Sequence, residues 1–306
     1  MTPDRRAFLA GSLALGASAC IPLDQSPLGR LNTQLRIIEA APGGTLGAEI
    51  FDTQTGESIG INSAMRFGHC SSFKLSLAAT ILARDAEGTA SAEQRLAWTR
   101  ADLLTNSPFT TERVDQGASL RELAEATQKV SDNTAANLLL RHLGGPAQLT
   151  AFWRGLGDTV SRLDRYEPEL NNVPAGELRD TTTPQAMART VARMLYGDAL
   201  PQSVQTTLRQ WMMDTQTGQR RVRAGLPRLW RAGDKTGTST WPGMGSLYVD
   251  IGFVEPAGSA PVTFAAYYRA KDIHDAVDPA SERVLAQVGA TLTDFVRRSR
   301  APVAPA

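Results

Sequence analysis

Lysine is scarce in this chain of 306 residues: only Lys74, Lys129, Lys235 and Lys271 occur, and arginine supplies nearly all the other positive charge. Histidine is scarcer still. His69, His142 and His274 are scattered without metal-ligand spacing, which argues against a zinc-dependent hydrolase. Neither sign of charge predominates. The formal net charge is +1 with acids and bases interspersed, so the chain lacks the basic face that nucleic-acid binding needs. The two cysteines, Cys20 and Cys70, exclude an intramolecular disulfide framework, and Cys70 reads as a small buried apolar residue. No repeats or low-complexity segments occur. What is there is an ordinary apolar and charged fraction, enough for one large domain or two medium ones with a full-sized core.

The N-terminus reads as an address. Arg5-Arg6-Ala7-Phe8-Leu9 is a twin-arginine signature, and the apolar run from Phe8 to Ala19 is too short to span a bilayer. Ala17-Ser18-Ala19 supplies a small-residue cleavage site. Cys20 falls at the first position after it, so the exported chain either starts there after simple cleavage or carries a lipid anchor on that thiol. Residues 1–19 are thus a signal peptide, 20–30 a tether and 299–306 a tail.

Hydrophobic periodicity divides the rest. Leu31, Leu35 and Ile38 have helical spacing up to Pro42-Gly43-Gly44. Thr45 to Phe51 reads as a strand, with Ser58 to Ile61 as its hairpin partner. From Ser71 the pattern is helical and mostly apolar, as for a helix crossing the core. Ser119 and Glu122 form a capping box for a helix to about Lys129. Asn133 or Thr134 is expected to cap a helix ended by Gly144-Gly145, and Thr183-Pro184 opens another. A further helix starts near Pro201, and strands return at Leu247 to Val254 and Val262 to Tyr268. A last amphipathic helix runs from about Ala280 to Arg298. The expected fold is α/β: a discontinuous domain, residues 31–62 and 214–298, with an antiparallel sheet flanked by helices, and an all-helical insertion at residues 63–213. The cleft between them is the expected ligand site.

Three short elements carry chemistry. Ser71 and Lys74, three residues apart, share a helix face and bring a nucleophile near an amine. Such a lysine acts as a base only where burial or positive charge lowers its pKa, and Lys235 is a source of that charge. Ser131-Asp132-Asn133 is expected in a loop that offers a hydroxyl for proton relay and an amide for a carbonyl, with Asp132 ordering the backbone. Lys235-Thr236-Gly237 is expected to begin a strand that binds an anionic group, with Gly237 leaving room for a flat substrate against the strand edge. A backbone N–H at such an edge can polarise a carbonyl. Each element alone is weak; in this order and at these intervals they are specific. A fourth feature, the loop from Arg165 to Asp180, carries Glu167 as a candidate base for activating water.

With these residues the chain resembles the class A serine β-lactamases from about residue 31 to 298. The motif set is shared with penicillin-binding proteins. The runs Ser131-Asp132-Asn133-Thr134-Ala135-Ala136-Asn137 and Asp164-Arg165-Tyr166-Glu167-Pro168-Glu169-Leu170-Asn171 carry the likeness most closely. The resemblance implies a β-lactamase/transpeptidase-like fold and hydrolysis of penicillins and cephalosporins through an acyl-enzyme on Ser71. It implies an oxyanion hole from the backbone N–H groups of Ser71 and Thr238, and proton handling shared by Lys74 and Glu167. Ser131 would protonate the leaving nitrogen, Asn133 hold the acylamide side chain, and Glu167 with Asn171 position the deacylating water. Lys235, Thr236 and Thr238 would bind the substrate carboxylate, Arg165 and Asp180 pin the loop, and the Glu167–Pro168 bond be cis. No arginine lies between Lys235 and Arg269, so Arg221 takes the carboxylate-side role. Asn106 stands where many members place an aromatic wall. Thr238 favours cephalosporins or carbapenems, but Cys70 has no partner in Thr238-Ser239-Thr240, which counts against carbapenem turnover. No cofactor or metal is expected, and the partners are small β-lactams with the chain a monomer, exported to the periplasm. The alternatives are a D,D-peptidase, which lacks the Glu167 loop, and a β-lactam sensor, which needs a fused signalling domain.

Overall fold

The computed structural model describes residues 24–41 and 43–298. The twin-arginine signature, the cleavage site, Cys20 and the tail at 299–306 lie outside them. In chain order come helix α1 (Pro27–Ala40) and strands β1 (Thr45–Asp52), β2 (Ser58–Ile61) and β3 (Phe67–Gly68). Helix α2 (Phe73–Ala86), strand β4 (Arg95–Leu96), α3 (Pro108–Glu112), β5 (Ala118–Ser119), α4 (Leu120–Lys129) and α5 (Asn133–Leu143) follow. Then come α6 (Pro146–Gly155), β6 (Thr181–Thr182), α7 (Pro184–Tyr196) and α8 (Gln202–Met213). Strands β7 (Arg231–Ser239), β8 (Leu247–Glu255) and β9 (Val262–Arg269) precede the long helix α9 (Pro279–Arg298).

The main sheet runs β2-β1-β9-β8-β7 and is antiparallel throughout, so β7 is an edge. Its strands come from both ends of the chain and the helices between them from the middle, the α/β arrangement expected. Alternation along β8 shows how the sheet serves two cores. Val249, Ile251 and Phe253 face the helical side, while Tyr248 and Val254 face α1 and α9 with Leu35, Val288 and Phe295. Helix α2 is buried on every side from Phe73 to Ala83, which is why it reads as apolar all round. Its N-terminus brings Ser71 to the edge strand β7.

Local expectations fail in five places, the first being that the insertion expected to be all-helical holds two short ribbons, β3 with β6 and β4 with β5, formed where its loops run side by side. Helix α1 starts at Pro27, inside the segment read as tether, because Ser26 caps it by accepting from Gly29 N and proline sits in its first turn. Asp132, not Asn133 or Thr134, caps α5 by accepting from Ala135 N. Helix α6 was not foreseen; Pro146 starts it directly after Gly144 and Gly145, both at positive φ. Strand β7 begins at Arg231, four residues before the lysine that announces it.

Candidate active site

Ser71 sits in a 3-10 turn, Cys70–Ser72, that runs directly into α2. One helical turn on, the Lys74 amine lies 2.9 Å from Ser71 Oγ and is fully buried. The same amine donates to Ser131 O at 3.0 Å and to Asn133 Oδ1 at 2.5 Å, and stands 3.2 Å from Glu167 Oε1. Burial pulls its pKa below the usual lysine value, opposed mainly by the Glu167 charge. Lys235, on β7, is also fully buried and donates to Ser131 Oγ at 3.1 Å. Burial first, then the Lys74 charge, pulls it well below its ordinary value. Two buried amines therefore flank Ser131, Lys74 at its carbonyl and Lys235 at its hydroxyl, and the Lys74 charge favours the neutral form of Lys235.

The loop after α6 delivers the carboxylate. Arg165 Nε donates to Asp180 Oδ2 at 2.5 Å, and the Asp164 and Arg165 N–H groups donate to Asp180 Oδ1 at 2.7 and 2.9 Å, closing the loop's two ends. Arg165 Nη2 also donates to Asn172 O at 2.8 Å. The Glu167–Pro168 peptide is cis. Asn137 of α5 grips the backbone of Glu167 on both sides, accepting from its N–H at 2.9 Å and donating to its carbonyl at 2.8 Å. Asn171 Nδ2 donates to Glu167 Oε2 at 2.7 Å. Both carboxylate oxygens are thus fixed, one toward Lys74 and one toward Asn171.

These parts surround a cavity of about 610 Å³. Ser71, Ser131, Asn133, Glu167 and Asn171 line one side, and Thr236, Gly237, Thr238 and Arg221 the other. Lys74 and Lys235 stand behind the lining rather than in it. Among the described residues, five non-glycine residues hold positive φ, and Cys70, Asn106, Ser131 and Asp180 belong to this region. Such strain persists only where surroundings over-determine it, and it concentrates at functional sites. Ser131 is held by its neighbours: Asp132 accepts from Thr110 N at 3.0 Å, and Asn106 Nδ2 donates to Ser131 O at 3.0 Å.

Two expected features have different physical bases. The missing side chain of Gly237 does not face the cavity alone: a Cβ there would come within 2.7 Å of Cys70 Cβ and 2.9 Å of Ser71 N. Gly237 lets β7 touch the turn that carries Ser71. Arg221 lines the cavity but is only 3 % exposed. Its Nη1 donates to Gly237 O and Val249 O at 2.8 and 2.7 Å, and Nη2 to Thr238 Oγ1 at 2.7 Å. Its charge therefore reaches the cavity chiefly through Thr238.

Other lining residues gave no local signal. Arg220 donates to Glu282 of α9 at 2.8 Å, and Glu282 Oε1 stands 3.5 Å from Arg221. Val277, Gln216 and Gln219 complete that end. Asn137 lay in view as one residue of a motif run, without its clamp on Glu167. Among the described residues no three His, Cys, Asp or Glu side chains are grouped to hold a metal ion. Chemically, the cavity offers a hydroxyl beside a pKa-lowered amine, a second hydroxyl beside another such amine, an oriented carboxylate, and the free edge of a strand.

Residues 30–296 match the model of the beta-lactamase enzyme family. Beta-lactamase L2 of Stenotrophomonas maltophilia is 40% identical over 299 residues, covering 93% of this chain and 96% of that protein. The carbapenem-hydrolyzing beta-lactamase KPC of Klebsiella oxytoca is 39% identical over 76% of this chain and 78% of its own. Among solved structures, a beta lactamase from Burkholderia vietnamiensis superposes with TM-score 0.81 at 41% identity, over 89% of this chain and 97% of that one. An ancestral class A beta-lactamase gives 0.82 at 44% identity, over 87% and 99%.

Proposed function

We propose for this chain, which belongs to the class A serine β-lactamase family, the hydrolysis of penicillins and cephalosporins through an acyl-enzyme on Ser71. It is a hydrolase of β-lactams; the assignment of steps to residues is our reading. Ser71 Oγ attacks the lactam carbonyl carbon as its proton passes to the Lys74–Glu167 pair. The lowered pKa of Lys74 and its 2.9 Å contact with Ser71 support that transfer. The backbone N–H groups of Ser71 and Thr238 hold the oxyanion. As the C–N bond breaks, Ser131 gives its proton to the nitrogen, with Lys235 beside it, and regains one from the Lys74–Glu167 pair, which thereby gives up the proton taken from Ser71. Asn133 holds the acylamide side chain. Lys235, Thr236 and Thr238, backed by Arg221, receive the substrate carboxylate. Glu167 and Asn171 then orient a water that adds to the acyl carbon, Glu167 takes its proton, and Ser71 departs with its own restored.

The observation that carries release over trapping is the fixed Glu167 carboxylate, held 2.7 Å from Asn171 and 3.2 Å from Lys74 in the cavity that Ser71 lines. A D,D-peptidase or a sensor has no use for it. Pure protein mixed with a penicillin and a chromogenic cephalosporin should turn both over and show no lasting adduct by intact mass. Glu167→Ala should instead accumulate the acyl-enzyme, and Ser71→Ala should form none. A persistent stoichiometric adduct on the wild-type chain overturns the reading. Carbapenems belong in the same assay, since Cys70 is a free buried thiol.

We also read the chain as a monomeric exported protein, divided into an α/β domain of residues 31–62 and 214–298 around a helical insertion at 63–213. The Arg5-Arg6 signature supports export. Intact mass of the mature protein decides between cleavage before Cys20 and lipidation on it.

A further inference from the structure

A second cavity, of about 590 Å³, is lined in part by residues 173–178 of the loop that carries Glu167. Its lining includes Val173 and Leu178 from that loop, Met244 from the turn between β7 and β8, and Met65, Phe67 and Arg269. No residue lines both this cavity and the one holding Ser71. Its walls are apolar at the mouth: Met65 and Leu178, 44% and 53% exposed, are two of the six large apolar side chains exposed among the described residues. Its size suits a small molecule, and clustered exposed apolar side chains favour one.

Its charge is unbalanced. Arg269, half-buried at the end of β9, makes no side-chain hydrogen bond or ion pair among the described residues. Burial lowers its pKa, and the opposing neighbour is the Cys70 thiol rather than a carboxylate; arginine stays cationic all the same. Arg66, also on the cavity, donates only to neutral acceptors, Val160 O at 3.2 Å and Thr181 Oγ1 at 2.9 Å. The acid in the lining, Glu177, is already taken. Arg179 holds it at 2.6 Å and the Leu178 and Arg179 N–H groups at 2.9 Å, which keeps its carboxyl at about 2. By contrast Arg162, Arg165 and Arg223 each face an aspartate at 2.5 to 2.6 Å. A guanidinium partly withdrawn from water without an anion is unfavourable until one arrives, and its fork matches a carboxylate.

We infer that this cavity binds a small organic carboxylate with an apolar body, the carboxylate on Arg269 and the body against Met65 and Leu178. The inference stands apart from the catalytic assignments. The test is an amide-shift titration of the whole protein with 4-phenylbutyrate, and with its carboxamide as the uncharged control. Saturable shifts at 173–178 and 243–245 are expected, with the dissociation constant raised at least tenfold for the carboxamide and for Arg269→Gln. Leu178→Glu, a surface substitution that leaves the core intact, should weaken binding by placing an anion at the mouth. Equal affinity for acid and amide overturns the inference. So do shifts confined to Thr236–Thr238, or no saturation in the wild-type protein.

Discussion

Gly237→Ala should displace Ser71, the proposed nucleophile, by crowding the turn that carries it while leaving every catalytic side chain in the sequence unchanged. The added Cβ would lie 2.7 Å from Cys70 Cβ, 2.9 Å from Ser71 N and 3.1 Å from His69 O. Carbon contacts are favourable at about 3.5–4.0 Å, so the turn or the strand must move by close to ~1 Å. None of the three atoms is the loose end of a side chain, and Cys70 and His69 are fully buried. Overpacking of this kind costs about 1–3 kcal/mol. For a domain of this size that lowers Tm by about 2–10 °C in calorimetry. The catalytic cost should be larger, since a displacement near 1 Å at a reacting group costs on the order of a hundredfold. The assay is kcat/KM on a chromogenic cephalosporin beside the melting curve. Cys70→Gly removes the nearest atom and accepts the 45° φ of that position without strain, so the double variant should recover part of both losses. Wild-type Tm and kcat/KM in Gly237→Ala would refute the reasoning, as would full additivity in the double variant.

Glu167 is the main group raising the Lys74 pKa against burial, so Glu167→Gln should lower that pKa further and move the acidic limb of the acylation rate to lower pH. Stopped-flow acylation across pH reads this directly, and an unmoved limb contradicts it. Asp180→Ala removes the buried partner of Arg165 and should cost about 3–5 kcal/mol, with deacylation slowed; Asp180→Asn, which tolerates the 58° φ, separates charge from backbone strain. His69 is buried and stacked on Trp153, and burial takes its pKa from 6.5 to about 4. Because the folded value is depressed, the unfolded chain binds more protons, and stability present above 6.5 is lost as pH falls toward 4. A difference of that size is worth about 3 kcal/mol, so Tm of His69→Phe should fall less than wild type between pH 6.5 and 4. Ser119→Ala breaks the capping box of α4 and should cost about 1 kcal/mol in denaturant unfolding.

Much of the site was legible because its parts are short-range. Ser71 and Lys74 meet through helical spacing, and the capping box of Ser119 and Glu122 is local as well. The loop from Arg165 to Asp180 was visible as a length of chain without periodicity. What was not legible rests on contacts between distant segments. Asn137 looks like one more helix residue until Glu167 is seen threaded across it. Glu282 lies on a helix read for its apolar stripe, and only the return of α9 past Arg220 and Arg221 gives it a partner. Gly237 carries a local reading, room for a ligand, whereas its tightest neighbours are Cys70 and Ser71, more than a hundred and sixty residues away in the chain. Arg269 appeared only as an arginine too far along to serve the carboxylate side. Its solitude could not be read, because it is a statement about which acids are absent nearby.

By itself, then, the order of residues determined the candidate groups: a serine with an amine one turn away, a hydroxyl and an amide in one tripeptide, a lysine-threonine-glycine element and a loop carboxylate. Those are properties of residue type and spacing, which covalent geometry transmits over a few residues. Tertiary structure decided their electrical state and their neighbours. Burial of Lys74 on α2 and of Lys235 on β7 lowers their pKa values, and the closeness of two buried amines to Ser131 O and Ser131 Oγ depends on helix and sheet packing together. It also left Arg269 without an acidic partner among the described residues, on a cavity whose lining acid, Glu177, is held by Arg179. Desolvation and Coulomb interaction depend on distance through space, and distance through space is not encoded in distance along the chain.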